Sequence, residues 1–410
     1  MTTATTFNAD AVLMELVATP EGRADPYPRY AGLRANSPVH RSDFGFWALT
    51  RYDDCQHVLR HPGVGKDFRG AASAIGLSEE QQAEQAQFRE NRSNMLVADP
   101  PDHTRLRRLA AQAFTPRTVE TLRPGVVTMV DGLIDAFGDG DVDVMEALAF
   151  PLPVTVIGEM LGVPAEDRAQ LRPLVRAITA VLELVVTPEA LSAASAANAT
   201  LIDYFAGLVA ERRAHPQDDL LTRLIQAEDE GDQLSEWELI STAILLFAAG
   251  FETTTNLIGN SVLALLHGPD QLDRLRGDRS LLRPAVEEML RYDSPVQIAV
   301  RMANEDVEID GHRIESGSVV LALLGAANRD PARFNDPDRL DVGRSEGSPI
   351  SFGSGIHFCL GAALARMEGQ VVLDRLLDRF ATMELVGPEP AHRDSLTLRG
   401  LVELPVRFRP

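Results

Sequence analysis

Lysine is almost missing from this chain: Lys66 is the only one among 39 lysines and arginines. That excludes a Walker-type Gly-Lys-Ser/Thr phosphate loop and leaves little choice of Schiff-base lysine. Cysteine is nearly as scarce. Cys55 and Cys359 stand alone, too few for a disulfide framework or an iron-sulfur set. Positive charge is in deficit, the formal net charge being −21, which argues against a nucleic-acid partner. Long apolar runs are absent as well: stretches such as Ile240 to Phe251 fall short of the roughly 18 residues a membrane span needs. No basic region followed by an apolar core opens the chain, so a cytoplasmic protein is expected. There is no Gly-x-Gly-x-x-Gly fingerprint after a strand, no repeat and no Gly/Ser/Pro-rich linker. At 410 residues and 45% hydrophobic content, one large domain over 1–410 is expected.

What is present is organised around Cys359. It lies in Phe352-Gly353-Ser354-Gly355-Ile356-His357-Phe358-Cys359-Leu360-Gly361, followed by the helix-forming Ala362 to Glu368. Gly353 and Gly355 let the loop curl and aim amide hydrogens at sulfur, and a helix start adds the positive end of its dipole. Both favour thiolate, so Cys359 reads as a metal ligand. Cys55, in the helix-like Tyr52 to Leu59, reads as a small buried filler.

Taken in order, the chain is β-rich at about 30–60, with a hairpin between His40 and Thr50 around Gly45. The polar stretch 71–92 reads as a solvated helix or a lid. Asp99 to Leu109 starts a helix on which His103 and Arg107 share one face, Arg105 and Arg108 another. The first face suits an internal anion, the second an acidic partner. A helical body extends over about 100–295. Within it Ile178 to Val186 is apolar enough for either core or a pocket roof.

Ser235-Glu236-Trp237-Glu238 is a capping box, and helix signals continue to His267 before Gly268-Pro269. The middle of this helix carries Ala248-Ala249-Gly250, small enough for something flat to lie against it, then Glu252 and Thr253. The threonines either bond back to the previous turn or, with Glu252, face a cavity where protons are delivered. Glu288 and Arg291 can pair on one helix face. Asp310-Gly311 marks a hairpin turn, Arg301 sits among alternating apolar residues, and Leu396 to Phe408 is strand-like.

Together, the cysteine loop, Ala249-Gly250-Phe251-Glu252-Thr253-Thr254 and Glu288-x-x-Arg291 with Arg339 resemble the cytochrome P-450 superfamily of haem-thiolate monooxygenases, in its soluble bacterial branch. The resemblance implies a mainly α fold with small β-sheets, one triangular body with haem b between the long central helix and the helix after the cysteine loop. It assigns Cys359 as iron ligand, and His103, Arg107, Arg301 and His357 to the haem propionates. Phe352, Gly353 and Gly361 would complete the haem loop, Ala249 and Gly250 a dioxygen groove, Glu252 and Thr253 a proton relay. Glu288, Arg291 and Arg339 would form a structural ion network.

The resemblance also offers Met95, Leu96, Leu245, Ala248, Val296, Gln297, Thr397 and Leu398 as pocket residues, each equally readable as plain core. Gln297 would orient a polar substrate oxygen. The implied activity is insertion of one oxygen atom into a lipophilic macrolide or other polyketide, terpenoid or steroid. A ferredoxin and its NAD(P)H reductase would serve a monomer, the ferredoxin docking near Arg105 and Arg108; no flavin or nicotinamide is expected in the chain itself. A peroxygenase on the same fold is the nearest alternative. A cysteine hydrolase leaves the helix centre and the arginine-histidine set unexplained. A haem sensor would need neither Glu252 nor Thr253, and zinc lacks two further ligands.

Overall fold

Glu236–His267 (α4, counting the helices used below) is a continuous helix of 32 residues, about 48 Å long at ~1.5 Å per residue. Its start is the predicted capping box: Ser235 accepts from the Glu238 N–H, and Glu238 accepts from the Ser235 N–H at 2.9 Å. Gly268 and Pro269 stop it. Most of its side chains are buried, so neighbours surround it on nearly all sides. Among them are Pro151–Leu161 (α2), Leu282–Tyr292 (α5) and Ala362–Arg379 (α6). Asp102–Ala111 (α1) and Ala165–Thr179 (α3) complete the helices needed for the site. This computed structural model describes residues 7–66, 94–111, 114–137, 140–229 and 232–410.

The predicted hairpin is Val39–Arg41 (β1) against Phe46–Leu49 (β2), turned at Gly45 with φ 88°. Val64–Gly65 (β3), Ile298–Ala303 (β4) and Val319–Leu323 (β5) complete a five-stranded sheet in the order β1-β2-β5-β4-β3. Only β2 and β5 run parallel. Asp310 and Gly311, with φ of 49° and 76°, make the expected tight turn between Val307–Ile309 and His312–Ile314, where both central residues need positive φ. One apolar core surrounds α4, and two smaller ones cover the faces of the sheet.

Several expectations shift. The 30–60 segment is more helical than extended, because Tyr27–Asn36 and Tyr52–Arg60 flank the hairpin. Leu396 to Phe408 is a strand only at Pro405–Arg409. Upstream, the N–H groups of Leu396 and Thr397 bond the Glu183 carboxylate instead of a neighbouring strand, at 3.0 and 3.2 Å. Ile178 to Val186 is not a core helix: the helix ends at Thr179, and Val185 is 68% exposed. The stretch 71–92 lies outside the described residues. Among those described, no single helix is long and apolar enough to cross a membrane.

Candidate active site

The cysteine loop is built by its glycines. Gly353 and Gly355 both have φ 70°, and a Cβ on Gly355 would stand 2.3 Å from the Leu59 carbonyl oxygen. The loop therefore lies directly on the helix Tyr52–Arg60, where Arg60 Nε donates to Ser354 Oγ at 2.7 Å. The Cys359 N–H closes back on Phe352 O at 2.9 Å, and the Arg366 guanidinium covers the Phe352 ring at 4.5 Å. Burial pushes the Cys359 thiol up, against the Gly361 N–H, Arg107 and Arg366, which favour thiolate. The expected amide and cationic support is present, and a metal cation on the sulfur of this exposed residue would favour the thiolate further. Cys55 is buried with Sγ 3.3 Å from Leu49 O, and burial raises its pKa well above the ordinary thiol value.

Beside the loop, basic groups converge. His103 is buried on α1, its ring centroid 4.3 Å from that of His357. Neither ring nitrogen of His103, nor His357 Nε2, has a hydrogen-bond partner among the described residues. Arg107 donates to the Phe358 carbonyl at 2.5 Å. Arg301 is buried and, among the described residues, its side chain bonds only the carbonyl of its neighbour Val300, at 2.9 Å. His357 is pushed down to about 2, first by burial and then by Lys66, Arg301, His103 and Arg107. Such a cluster is suited to anions. Lys66 belongs to it, and sequence reasoning missed it; the signal available was its uniqueness.

In the otherwise buried middle of α4 the accessible positions are Leu245, Ala249, Gly250 and Thr253, of which Leu245, Ala249 and Thr253 are spaced four apart on one stripe. Thr253 Oγ1 donates to Ala249 O at 2.9 Å, the back-bond to the previous turn. Gly250 differs from expectation: its missing Cβ accommodates Ile157 of α2, whose Cγ1 would be 2.8 Å away. Its smallness serves helix packing. Glu252 is buried and paired with Arg393, a residue that no local pattern connects to it. Arg393 Nε also donates to Leu401 O at 3.1 Å. Arg172, Arg176 and Glu146 surround this pair, Arg172 gripping Glu146 with two bonds of 2.6 and 2.7 Å.

Other sequence-selected residues divide. Met95 and Ala248 are buried in the main core; Leu96 is half-buried. Val296 bridges to Leu398, while Thr397 Oγ1 donates to Leu182 O at 3.1 Å. Gln297 turns inward: its Nε2 donates to Ser294 O and Tyr27 Oη, at 2.8 and 3.2 Å. Its Oε1 occupies the space beside Gly325, where a Cβ would be 1.9 Å away. It is therefore not placed to orient a substrate. The buried Glu288–Arg291 pair is present at 2.7 Å, but its third side chain is Arg344, 3.0 Å from Glu288. Arg339 gives Arg291 only its carbonyl and points its exposed side chain at Asp336 and Asp341. Arg105 is committed to Glu238 and, at 3.4 Å, Asp232, which weakens its case as a docking cation.

A prosthetic group with two carboxylates and a thiolate-seeking metal suits these residues. Among the described residues, two orphaned imidazoles and three cations face no carboxylate but Asp99. Gly361 adds to the fit, since a Cβ there would meet nothing of the protein within 4 Å. The protein's own packing does not require that glycine.

Residues 48–407 match the family model described as Cytochrome P450, and the chain belongs to that family of haem-thiolate monooxygenases. It is 45% identical to Cytochrome P450 107B1 of Saccharopolyspora erythraea, over 93% of this chain and 95% of that one. It is 43% identical to the Vitamin D(3) 25-hydroxylase of Pseudonocardia autotrophica, over 94% of each. Among solved structures, P450BioI in complex with a hexadec-9Z-enoic acid-ligated acyl carrier protein superposes with a TM-score of 0.89 at 39% identity, covering 95% of this chain and 100% of that one.

Proposed function

We propose that the chain hydroxylates or epoxidises a lipophilic macrolide or other polyketide, terpenoid or steroid, using haem b held by Cys359 and electrons from a ferredoxin. When bound, the haem supplies the iron at which dioxygen is activated and one oxygen atom passes to the substrate. His103 carries this reading: a buried imidazole with both nitrogens unpartnered among the described residues, packed against His357, which stands two residues before Cys359. A carboxylate pair is the chemistry such a cluster with Arg107 and Arg301 would hold, by charge-assisted bonds.

Cys359 Sγ would hold the metal, and Gly353 and Gly355 fix the loop that carries it. Glu252, held in place by its ion pair with Arg393, would relay protons toward Thr253. Thr253 Oγ1, the accessible hydroxyl next along the helix, would pass these protons into the open side of the site. General acid assistance of this kind contributes roughly 10²- to 10⁴-fold. Leu245 and Ala249 offer apolar surface on the same stripe, which helps exclude water from it. The named substrates of the relatives, a vitamin D and a long acyl chain, are both lipophilic and support that substrate class.

The ferredoxin would meet the face of the cysteine loop, where Ile356 and Phe358 are 48% and 40% exposed. Arg105, paired with Glu238, and Arg108 are the cations of α1 to test there. Arg108→Glu should weaken ferredoxin-supported turnover and flatten its salt dependence.

The deciding experiment is the spectrum of the reduced carbon monoxide complex. A strongly red-shifted Soret band, lost in Cys359→Ser, is expected. Its absence from haem-loaded, folded protein would exclude the ligation. Titration of candidate lipids and polyketides for a spin-state change then identifies the substrate.

A further inference from the structure

Lys66 follows Gly65 directly, and in β3 the ladder pairs are Val64 with Ala303 and Gly65 with Met302. One step further in this antiparallel register sets Lys66 opposite Arg301, on the same face. Like charges in that relation repel. The Lys66 N–H is tied to Asp99 Oδ1 at 2.8 Å, just before the helix that carries His103 and Arg107. Backbone pairing on one side and this tether on the other thus direct the only lysine of the chain toward the basic cluster. Among the described residues its ammonium makes no hydrogen bond or ion pair, while Asp99 is already shared with the Lys66 N–H and Asn304. Burial lowers the ammonium to about 7, with Arg301 adding to the effect and Asp99 opposing it. A position so unfavourable to a cation is explained by an anion that belongs there.

We propose that Lys66 is a further anchor for a haem propionate, completing the cradle of His103, Arg107, Arg301 and His357, and that its charge raises the reduction potential of the bound cofactor. This rests on the haem reading above. Lys66 differs from the other four in coming from a strand end far upstream, so it ties the N-terminal edge of the sheet to the cofactor. No bond is made or broken; the step is a charge-assisted hydrogen bond from Nζ to a carboxylate.

Haem-loaded wild type, Lys66→Met and Lys66→Arg are compared by haem loss to excess apomyoglobin, by the ferric/ferrous midpoint potential and by thermal unfolding. Lys66→Met should lose haem roughly ten- to a hundredfold faster, the range expected for one charge-assisted bond, with a more negative midpoint potential. Lys66→Arg should retain both wild-type values. Wild-type haem loss and potential in Lys66→Met overturn the assignment. So does a lower unfolding temperature with an unchanged potential, since that marks a purely structural role. Protein that takes up no haem at all overturns the reading of the site, and this inference with it.

Discussion

Glu252 and Arg393 are ion-paired across 141 positions of sequence, joining the middle of α4 to the loop before the last strand. The carboxylate side chain is 6% exposed and the guanidinium 20%. Removing one partner of a fully buried pair costs about 3–5 kcal/mol; solvent at Arg393 reduces this to about 1–3 kcal/mol. Arg393→Gln should lower the denaturation midpoint accordingly, while Arg393→Lys recovers part of the loss. A midpoint equal to wild type would show that the pair contributes nothing.

Thr253→Ala removes the hydroxyl that now bonds Ala249 O. The helix loses little by this, since threonine is a weaker helix former than alanine. Haem content and substrate-induced spectral change should be preserved, while reductant consumption is diverted to hydrogen peroxide. An unchanged product-to-reductant ratio would refute a proton role for Thr253.

Glu288 sits at 1% side-chain exposure between Arg291 and Arg344. Arg344→Ala leaves part of that buried charge uncompensated and should cost about 3 kcal/mol or more, read as a fall in the unfolding midpoint. Arg339→Ala, at 57% exposure, should stay within about 0.5 kcal/mol of wild type. Equal effects would restore Arg339 to the network.

Gly355→Ala and Gly361→Ala should separate folding from cofactor binding. The first places a Cβ 2.3 Å from Leu59 O at a left-handed φ, a strain of at least 1–3 kcal/mol visible in thermal stability. The second meets no protein atom, so stability should hold while haem retention falls. Haem retention equal to wild type in Gly361→Ala would remove that residue from the binding surface.

Asp293 governs the acid limb. Burial alone would raise its pKa, but Arg399, His392 and the Tyr27 hydroxyl outweigh it and hold it well below the usual carboxylate range. A carboxylate depressed in the folded state stabilises above its unfolded pKa of about 3.9, and that contribution is lost as pH falls below it. Asp293→Asn should therefore lower stability at neutral pH and flatten its decline between about pH 5 and 2, measured by denaturation at each pH.

What could be read from the sequence was local. Ser235 with Glu238, Asp310 with Gly311 and the bracket around Cys359 each act through neighbours within a few residues, so spacing alone exposes them. His103 and Arg107 could likewise be placed on one face. Arg393 on Glu252, Lys66 opposite Arg301 and Arg344 on Glu288 depend on chain returns of tens to hundreds of residues, which no periodicity encodes. Gln297 and Gly250 were misdirected for a related reason. Residue type shows that a side chain can bond or that space is left, but only the tertiary neighbours, Tyr27 and Ile157, show in which direction.

The parallel pairing of β2 with β5 joins Phe46 to Val319 and Leu49 to Ala322. During synthesis the hairpin at 39–49 emerges early, yet the strand it must adjoin appears only after the whole helical body has left the ribosome. Until then one of its edges stays unpaired and open to aggregation. Because pairings this distant in sequence form slowly, production of the protein should be limited by completion of this small sheet, and slower synthesis or a holdase chaperone should raise the soluble yield.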